Sequence, residues 1–319
     1  MSAHIRVMRL AQRLVLLAVA AASLVATSCG DPTGSNGADL PILFWAQRPG
    51  GDGLYFMSTD GRRVVSLSKP GLDVVPYTQD FDWSPDGSRI AFSDNRQVII
   101  IDVTGRHRRP LTSSSGDSRV ASWSPDGARL VYWNNDDPTR WGLVVVNADG
   151  SAPRRLASTD RALVERASWS PDGTRIVFGR LEFRFDPAKS EYFDTWSLFI
   201  ARVDTDVAVR LTTSGPCVDR EPAWAPDGDR IVFAGCPEGP AHGLFIINAD
   251  GSGLRRVTTS PTGTIDRHPA WSPAGDRIVF ERGPLSNRDL FMVGADGNGL
   301  INLTEGNAGF DGAPRWRRR

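Results

Sequence analysis

Short apolar segments separated by turn residues recur along the chain from about residue 40 onward. In the clearest example, the segment Arg175–Phe178 is followed by the apolar segments Leu198–Ala201 and Val207–Leu211. Segments of this length, rich in β-branched and aromatic residues and bounded by Gly, Pro, Asp and Ser, are typical of β-strands. No later segment shows the 3.6-residue apolar period of an amphipathic helix, so the pattern predicts an all-β domain.

A pentapeptide, Trp-Ser-Pro-Asp-Gly, marks the register of these segments. It occurs unchanged at three tryptophans, as WAPDG and WSPAG at two more, and a further tryptophan follows Ala-Pro-Arg near the end of the chain. In order these are Trp83, Trp123, Trp169, Trp224, Trp271 and Trp316. The intervals between them are 40, 46, 55, 47 and 45 residues. A repeat of this length predicts four-stranded propeller blades.

The residues between the apolar segments carry turn chemistry. In each pentapeptide, proline presets φ, aspartate can bond back to the main chain and glycine can take a positive φ, which predicts a tight turn. Asp-Gly pairs also recur between the third and fourth predicted strands, at Asp149-Gly150, Asp250-Gly251 and Asp296-Gly297. Such a pair between apolar alternations is a strong hairpin signal. Each repeat is therefore predicted to contain four antiparallel strands.

The two ends of the domain predict how the ring closes. Five complete blades begin before the first five of these tryptophans. The N-terminal part supplies three further strands, Ile42–Trp45, Leu54–Met57 and Val64–Leu67, and the C-terminal part supplies one, Ala313–Trp316. Together these four segments make a sixth blade, which removes the free sheet edges. The predicted fold is an all-β, six-bladed β-propeller closed by the C-terminal strand.

The N-terminal segment has the pattern of an export signal. Three arginines precede the apolar run Leu14–Val25, which is too short for a stable membrane span, and small residues then lead to Cys29. This arrangement resembles a bacterial lipoprotein signal and implies a signal peptide over residues 1–28 with lipidation of Cys29. Because Ala26 stands where leucine is most usual, ordinary signal-peptidase cleavage and a plain anchor stay open.

The composition of the next segment predicts a tether. Residues 29–40 are rich in Gly, Asp and Ser, with almost nothing to bury, so a flexible linker is expected there and the propeller is expected over residues 41–319. The chain has 37 basic and 37 acidic side chains, and this balance argues against a nucleic-acid partner. We expect a monomer held at a membrane by its lipid.

The repeat resembles that of a known family. The order W-S-P-D-G, then Arg-Ile/Leu-Val/Ala-Phe/Tyr, then Ala-Asp-Gly-Ser and Arg-Leu-Thr, is similar to the propeller repeats of the TolB family over nearly the whole predicted domain. TolB is the periplasmic propeller of the Tol–Pal envelope system and has an additional N-terminal α/β domain. Similar propellers also occur in prolyl oligopeptidase-type enzymes and some polysaccharide lyases. Since one fold hosts many functions, the resemblance implies the fold and leaves the function open.

Residues that recur from blade to blade are expected to stabilise the blades. We expect the tryptophans to pack between blades. An arginine follows each of the first five tryptophans by six residues, and its expected partner is the aspartate of the turn, which Ala274 replaces in the fifth blade. These arginines are Arg89, Arg129, Arg175, Arg230 and Arg277.

Positions at which the blades differ are the candidate functional sites. The first set precedes the tryptophans, where the innermost strands of a propeller border the channel mouth. Its charged residues are predicted either to bind a small polar ligand, a cation or a charged segment of a partner, or to form ion pairs on a solvated rim. They are Asp80, Arg119, Glu165, Arg166, Asp219, Arg220, Glu221, Asp266, Arg267, His268 and Asp311.

Two further features distinguish single blades. The insertion Leu181–Trp196 accounts for the 55-residue interval. Its aromatic residues predict either a surface loop for a protein partner or a hairpin extension folded onto its own blade. They are Phe183, Phe185, Tyr192, Phe193 and Trp196. Separately, Cys217 and Cys236 lie on opposite sides of the turn at Pro226, which predicts a structural disulfide in an exported protein.

The sequence gives little support for catalysis. It lacks a G-x-S-x-G motif, its histidines are not spaced as a metal pair, and D-x-D-x-D-G calcium loops are missing. We therefore expect no metal, no cofactor and no enzyme activity. The expected function is binding or scaffolding in the cell envelope, in the periplasm or at the outer cell surface, with an envelope protein or a cell-wall polymer as partner. The alternative is a carbohydrate-active enzyme, a lyase or hydrolase, that uses Asp219, Asp266 and His268.

Overall fold

The computed structural model describes residues 40–48, 51–67, 80–113, 116–137, 141–156, 159, 162–186, 190–212, 218–237, 241–284, 287–307 and 309–317. The predicted signal peptide, Cys29 and the tether up to residue 39 lie outside these ranges, and so does Cys217. The described residues form 24 strands in six four-stranded antiparallel sheets, which confirms the predicted propeller.

We name each sheet after the tryptophan that ends its innermost strand. The Trp83 blade contains β4 (Phe81–Trp83), β5 (Arg89–Asp94), β6 (Gln97–Asp102) and β7 (Arg109–Pro110). The Trp123 blade contains β8 (Ser118–Trp123), β9 (Arg129–Asn134), β10 (Gly142–Asn147) and β11 (Arg154–Arg155). The Trp169 blade contains β12 (Val164–Trp169), β13 (Arg175–Asp186), β14 (Glu191–Arg202) and β15 (Ala208–Arg210).

The remaining strands form three more blades. The Trp224 blade contains β16 (Arg220–Trp224), β17 (Arg230–Gly235), β18 (Gly243–Asn248) and β19 (Arg255–Arg256). The Trp271 blade contains β20 (Ile265–Trp271), β21 (Arg277–Gly283), β22 (Asp289–Gly294) and β23 (Ile301–Asn302). The closing blade contains β24 (Asp311–Trp316), β1 (Ile42–Ala46), β2 (Gly53–Met57) and β3 (Val64–Ser66).

Ring closure follows the prediction. Strand β24 pairs antiparallel with β1, with Ile42 opposite Trp316 and Ala46 opposite Asp311. The main-chain amide of Arg317 also donates to the carbonyl of Pro41 at 2.7 Å. Because the first and last segments share one sheet, neither end of the ring presents an unpaired innermost strand.

The innermost strand of each of the first five tryptophan blades ends at its tryptophan and leads into the pentapeptide turn. We call the end of the ring with these turns the turn face, and the opposite end, where strands such as Val164–Trp169 and Ile265–Trp271 begin, the start face.

The pentapeptide turn is held by its own serine and aspartate. In the Trp169 blade the Ser170 hydroxyl donates to Asp172, the amide of Arg175 donates to the Ser170 hydroxyl at 3.0 Å, and Gly173 takes a φ of +69°. In the Trp271 blade, where alanine replaces the turn aspartate, the Ser272 hydroxyl donates to Asp276 at 2.7 Å instead. The turn therefore keeps its serine hydrogen bond when its aspartate is lost.

The recurring arginines connect neighbouring blades. Four of them stack on the tryptophan of the next blade, with the guanidinium carbon 4.7–4.9 Å from the ring centroid. These pairs are Arg89–Trp123, Arg129–Trp169, Arg175–Trp224 and Arg230–Trp271. At the closure Arg317 takes this place over Trp83, at 5.4 Å. The predicted pairing with turn aspartates holds in part, since Arg230 lies 2.6 Å from Asp227 and Arg175 lies 3.8 Å from Asp172.

The tryptophans occupy the predicted place in the core. Trp83, Trp123, Trp169, Trp224 and Trp271 are all buried. One cluster, for example, packs Trp83 with residues of its own blade and with Leu43 and Phe56 of the closing blade. Burial of large rings between sheets supplies much of the apolar area that holds one blade to the next.

The arginine–tryptophan contact should contribute measurably to stability. Arg129→Ala is expected to lower the free energy of unfolding by about 1 kcal/mol, because it removes a partly desolvated cation–π contact between blades. Urea unfolding of the full chain measures this loss, and a double-mutant cycle with Trp169→Leu isolates the pairwise part.

Arg277→Ala is the matched control, because Arg277 is exposed and stacks on no tryptophan among the described residues. Its expected change is within about 0.5 kcal/mol. Equal losses for the two variants, or a coupling energy near zero for Arg129 and Trp169, would contradict the assigned contact.

Candidate binding site along the central channel

A β-bulge lies three residues before the tryptophan in four innermost strands. The residues at this position are Arg166, Glu221, His268 and Ala313, with φ of 33°, 56°, 50° and 51°, and strand register shifts at each of them. A non-glycine residue in this region costs on the order of 1–3 kcal/mol, so the surroundings must hold it there. Bulges redirect side chains, and Arg166, Glu221 and His268 each contact the innermost strand of another blade. Arg166, for example, donates to the carbonyl of Pro269 at 3.2 Å.

Residues five positions before the tryptophan behave differently, because they lie on the other side of the bulge. Asp266 and Asp311 are each 1% exposed. Asp266 accepts from Nε and Nη2 of Arg282 at 2.6 and 2.7 Å, and Asp311 accepts from Nη2 of Arg48 at 3.0 Å. Both predicted ligand residues are therefore held in ion pairs inside a blade.

Asp219, the equivalent residue of the Trp224 blade, has no such arginine. The position that Arg282 fills in the Trp271 blade is Gly235 here, and a Cβ built on Gly235 would lie 2.5 Å from Oδ1 of Asp219. Neither oxygen of this fully buried carboxylate makes a hydrogen bond of good geometry to a described residue. Burial raises the pKa of Asp219 to about 6, although Thr212 and the amide of Cys236 act in the opposite direction.

His268 lies within a buried group of charges at the channel. Its Nε2 is 3.5 Å from Glu221, its Nδ1 is 3.1 Å from Glu281, and its amide donates to Glu221 at 2.7 Å. Glu281 also accepts from Arg288 and, at 2.8 Å, from the amide of Ala313. Burial alone would raise the pKa of Glu281, but His268, Arg288 and the amide outweigh it and lower that pKa to about 2. The carboxylate is therefore an ionised centre that connects two blades.

Glu281 and Arg288 were missed by the sequence prediction, although one signal was available for Glu281. It follows an Arg-Ile-Val-Phe strand at a position that is otherwise small or apolar, occupied in the other blades by Ser93, Trp133, Gly179 and Ala234. A carboxylate in such a position indicates a buried partner. Arg288 lies in the loop between the second and third strands of its blade, where the repeat has no fixed length. The sequence therefore gives no comparable signal for Arg288.

Two arginines lie inside the channel on the side of the turn face. The sequence predicts Arg166 as a channel residue but gives no signal for Arg315, which directly precedes Trp316 in the closing strand. Both line a cavity of about 280 Å³ that extends to the ring of turn prolines. Burial lowers the pKa of Arg166, and the nearby Arg315 contributes to a value of about 9.

The other predicted residues lie on the start face. Arg119 is exposed and stacks on Trp133, with its guanidinium carbon 5.5 Å from the ring centroid. Arg220 pairs with Glu165 at 3.5 Å and covers the ring of Trp196 at 4.6 Å. These contacts agree with the alternative of internal ion pairs around the rim.

A second cavity on the start face brings four predicted residues together. It has a volume of about 250 Å³ and lies between the Trp224 and Trp271 blades. Its polar lining consists of Arg220, Glu221, Asp266, Arg267 and the unpredicted His242. Asp80 lies apart from this cavity on the Trp83 blade, where it is half-buried.

The insertion is an extension of one hairpin. Strands β13 and β14 each have 12 residues and stay paired as far as Asp186 opposite Glu191, so the backbone follows the hairpin alternative. Phe183 is 74% exposed, Phe193 is half-buried, and Trp196 is buried against Arg220. Phe185 and Tyr192 are opposite each other in the register, and their side chains lie outside the described part.

The remaining chemistry of the described residues is sparse. Cys236 is buried and disulfide-bonded, and its predicted pairing with Cys217 stays a prediction because residue 217 is not described. No group of three His, Cys, Asp or Glu side chains suited to a metal ion occurs among the described residues. Within the same residues, no helix has the length and apolar character needed to span a membrane.

Asp219 should make stability depend on pH in an unusual direction. The pKa of Asp219 in the folded protein, about 6, lies above its ordinary value of 3.8. The contribution of its protonated form to the free energy of unfolding is therefore complete below pH 4 and is lost as pH rises through 6. Relative to Asp219→Asn, the wild type should lose on the order of 2–3 kcal/mol between pH 4 and 7.

Urea unfolding of both proteins at pH 4, 5, 6 and 7 measures this difference. Asp266→Asn serves as control, since removing the charge paired with Arg282 should destabilise the protein at pH 7. A difference between wild type and Asp219→Asn that stays constant with pH would contradict the raised pKa.

Comparison with known proteins gives the fold but no close relative. No protein-family model matches the sequence, and no curated protein matches it. A TolB-type protein from Agrobacterium tumefaciens is similar in structure, with 19% identity, a TM-score of 0.63 and coverage of 86% of this chain and 91% of that chain. TolB from Acinetobacter baumannii has 19% identity and a TM-score of 0.68, over 90% of this chain and 67% of that chain.

Enzymes share this architecture. An oligogalacturonate lyase solved with manganese has 18% identity and a TM-score of 0.52, over 83% of this chain and 73% of that chain. The tricorn protease has 19% identity and a TM-score of 0.58, over 84% of this chain but 27% of its own length. The chain is thus a six-bladed β-propeller with the fold of the TolB-type proteins, a fold that a lyase and a protease also use.

Proposed function

We propose that this chain is a non-catalytic binding module of the cell envelope, exported and held at a membrane through a lipid on Cys29. Its partner is another envelope protein, which docks on the start face beside the extended hairpin of the Trp169 blade. The observation that carries this proposal is the hairpin itself, the place where one blade departs furthest from the repeat.

The hairpin presents exposed apolar side chains on the start face. Phe183 is 74% exposed, and Leu163, whose carbonyl accepts the amide of Leu181 at 3.0 Å, is 48% exposed. An exposed phenyl ring on a paired strand loses little conformational entropy on binding, and aromatic residues are enriched in protein interfaces. Trp196 and Arg220 support its base.

The charged groups of the channel support binding over catalysis. Asp266 is paired with Arg282, and Glu281 is paired with Arg288 and His268, so both carboxylates are buried and already satisfied by the chain. A general acid or base needs a proton that substrate can reach. The alternative carbohydrate-active enzyme would have to break these ion pairs before using Asp266.

Phe183→Ser should weaken partner binding at least tenfold without a loss of stability, because the ring is exposed in the free protein. A photo-crosslinking residue at position 183 of the full chain should yield a discrete adduct with the partner in envelope extracts. When unlabelled Phe183→Ser protein is added, it should compete poorly with the crosslinkable protein for that partner. A shorter hairpin, with residues 183–194 replaced by Asn-Gly, should lose the adduct entirely.

Val209→Ser is the matched control, since Val209 is 64% exposed on the outer strand of the same blade. It should compete as well as the wild type. Competition that fails equally for both variants, or adducts that form equally from positions 183 and 209, would contradict docking at the hairpin. Cleavage of a cell-wall polysaccharide by the wild-type protein would establish the enzyme alternative instead.

Cys29→Ser should move the chain from the membrane fraction to the soluble fraction. The change removes the thiol that would carry the lipid, and an export signal without the lipid leaves no anchor. Cell fractionation and mass measurement of the mature N-terminus check this. A protein that stays at the membrane after the change, or a mature form with unmodified Cys29, would contradict lipid anchoring.

A further inference from the structure

The side chains of Arg166 and Arg315 line the same cavity in the turn-face half of the channel, and neither forms an ion pair with a described residue. Arg315 is 7% exposed, and the bonds from its Nη1 go to the main-chain carbonyls of Ala313 and Pro314, at 3.3 and 2.9 Å. Arg166 donates from Nη2 to the carbonyl of Pro269, while its Nη1 is buried with no hydrogen-bond partner among the described residues.

This arrangement is unfavourable for the empty protein. A buried donor without a partner costs free energy, and two nearby cations repel each other. Arg166 also takes a φ of +33° at its bulge, a conformation that a non-glycine residue adopts only when its surroundings require it. Burial lowers the pKa of each guanidinium, and it outweighs Asp82, Asp80 and Glu221, which lie near enough to favour the charged forms of both arginines.

The cavity beside the two arginines has a defined size and lining. Its volume of about 280 Å³ is the space that about nine water molecules take up at ~30 Å³ each, so only a small ligand fits. Asp82 is the carboxylate among its described lining residues, and its two oxygens accept from the amides of Trp83 and Trp123, both at 3.0 Å. The apolar lining consists of Pro85, Pro125, Pro171, Pro226, Pro273, Trp169, Trp224, Trp271 and Trp316.

We propose that this cavity binds a small carboxylic acid, with its carboxylate between the guanidinium groups of Arg166 and Arg315 and its apolar body against the prolines and indole rings. A guanidinium fork matches a carboxylate in a bidentate manner, and the anion would satisfy the buried Nη1 of Arg166 while it separates the two cations. The apolar walls favour a ligand with a hydrocarbon or aromatic body over a fully hydrated anion.

The site is separate from the proposed docking surface. It lies towards the turn face, whereas the hairpin of the Trp169 blade protrudes from the start face, so either can exist without the other. The acid can be a free molecule or the terminal carboxylate of a peptide that reaches into the channel. Both present the same group to Arg166 and Arg315.

Benzoate is the probe that tests the site, because it has nine non-hydrogen atoms and a neutral analogue of the same shape, benzamide. Calorimetric titration of the full chain at pH 7 and constant ionic strength should show benzoate binding at least tenfold more tightly than benzamide. Arg166→Gln and Arg315→Gln should each remove that difference. Arg277→Gln, which removes an exposed arginine of the turn face, should keep it.

Thermal unfolding separates a binding role from a structural one. Arg166→Gln should leave the melting temperature unchanged or raise it, because it removes a half-buried cation whose Nη1 has no hydrogen-bond partner among the described residues, and benzoate should stabilise the wild type alone. If Arg166→Gln does not fold, Arg166→Lys keeps the charge without the fork and should bind benzoate more weakly than the wild type. A peptide with a C-terminal phenylalanine and its amidated form distinguish a chain terminus from a free acid.

Three results would overturn the proposal. Benzoate and benzamide could bind the wild type equally or not at all, benzoate binding could survive both glutamine variants, or inorganic phosphate could bind as tightly as benzoate. The last result would assign the arginine pair to phosphate and not to carboxylates. None of these outcomes depends on the partner at position 183.

Discussion

The contact between the arginine of one blade and the tryptophan of the next is the interaction on which this ring depends. Five blades bury their tryptophan, and in four of them the guanidinium of the preceding blade lies over the ring. Blades of a repeat protein contribute stability mainly through such nearest-neighbour interfaces. At the closure, where the closing blade has no pentapeptide turn, Arg317 takes the same place over Trp83.

Because the repeated residues hold the ring, the positions that change from blade to blade are free to differ in chemistry. The bulge residue is the clearest case, since one backbone conformation presents an arginine, a glutamate, a histidine and an alanine in successive blades. The bulges lie along the channel, and so do the buried charges around Glu281. Arg166 and Arg315, which form no ion pair with a described residue, lie there too. Strained and poorly satisfied groups are characteristic of binding sites.

The blades, their turns and the closing strand were predictable because each depends on local residue patterns of fixed spacing. The site was only partly predictable. The sequence predicts residues three to five positions before each tryptophan on one rim of the channel, but the bulge separates them into two groups. A shift of one residue in a strand reverses the face to which every following side chain points. Asp266 and Asp311 therefore turn into the blades, while Arg166 and His268 turn towards the channel. Arg48, the partner of Asp311, lies 263 residues away, and no local pattern indicates that pairing.

The central claim is that repeated residues hold the ring and that departures from the repeat carry binding. Parallel measurement of melting temperature and ligand binding, for a set of alanine variants of both kinds, tests it most directly. Variants of Arg89, Arg129, Arg175 and Arg230 should melt earlier and keep binding both the partner and benzoate. Phe183→Ala should lose partner binding, and Arg166→Ala should lose benzoate binding, without melting earlier. A set in which binding falls only as stability falls, irrespective of the kind of position, would contradict the claim.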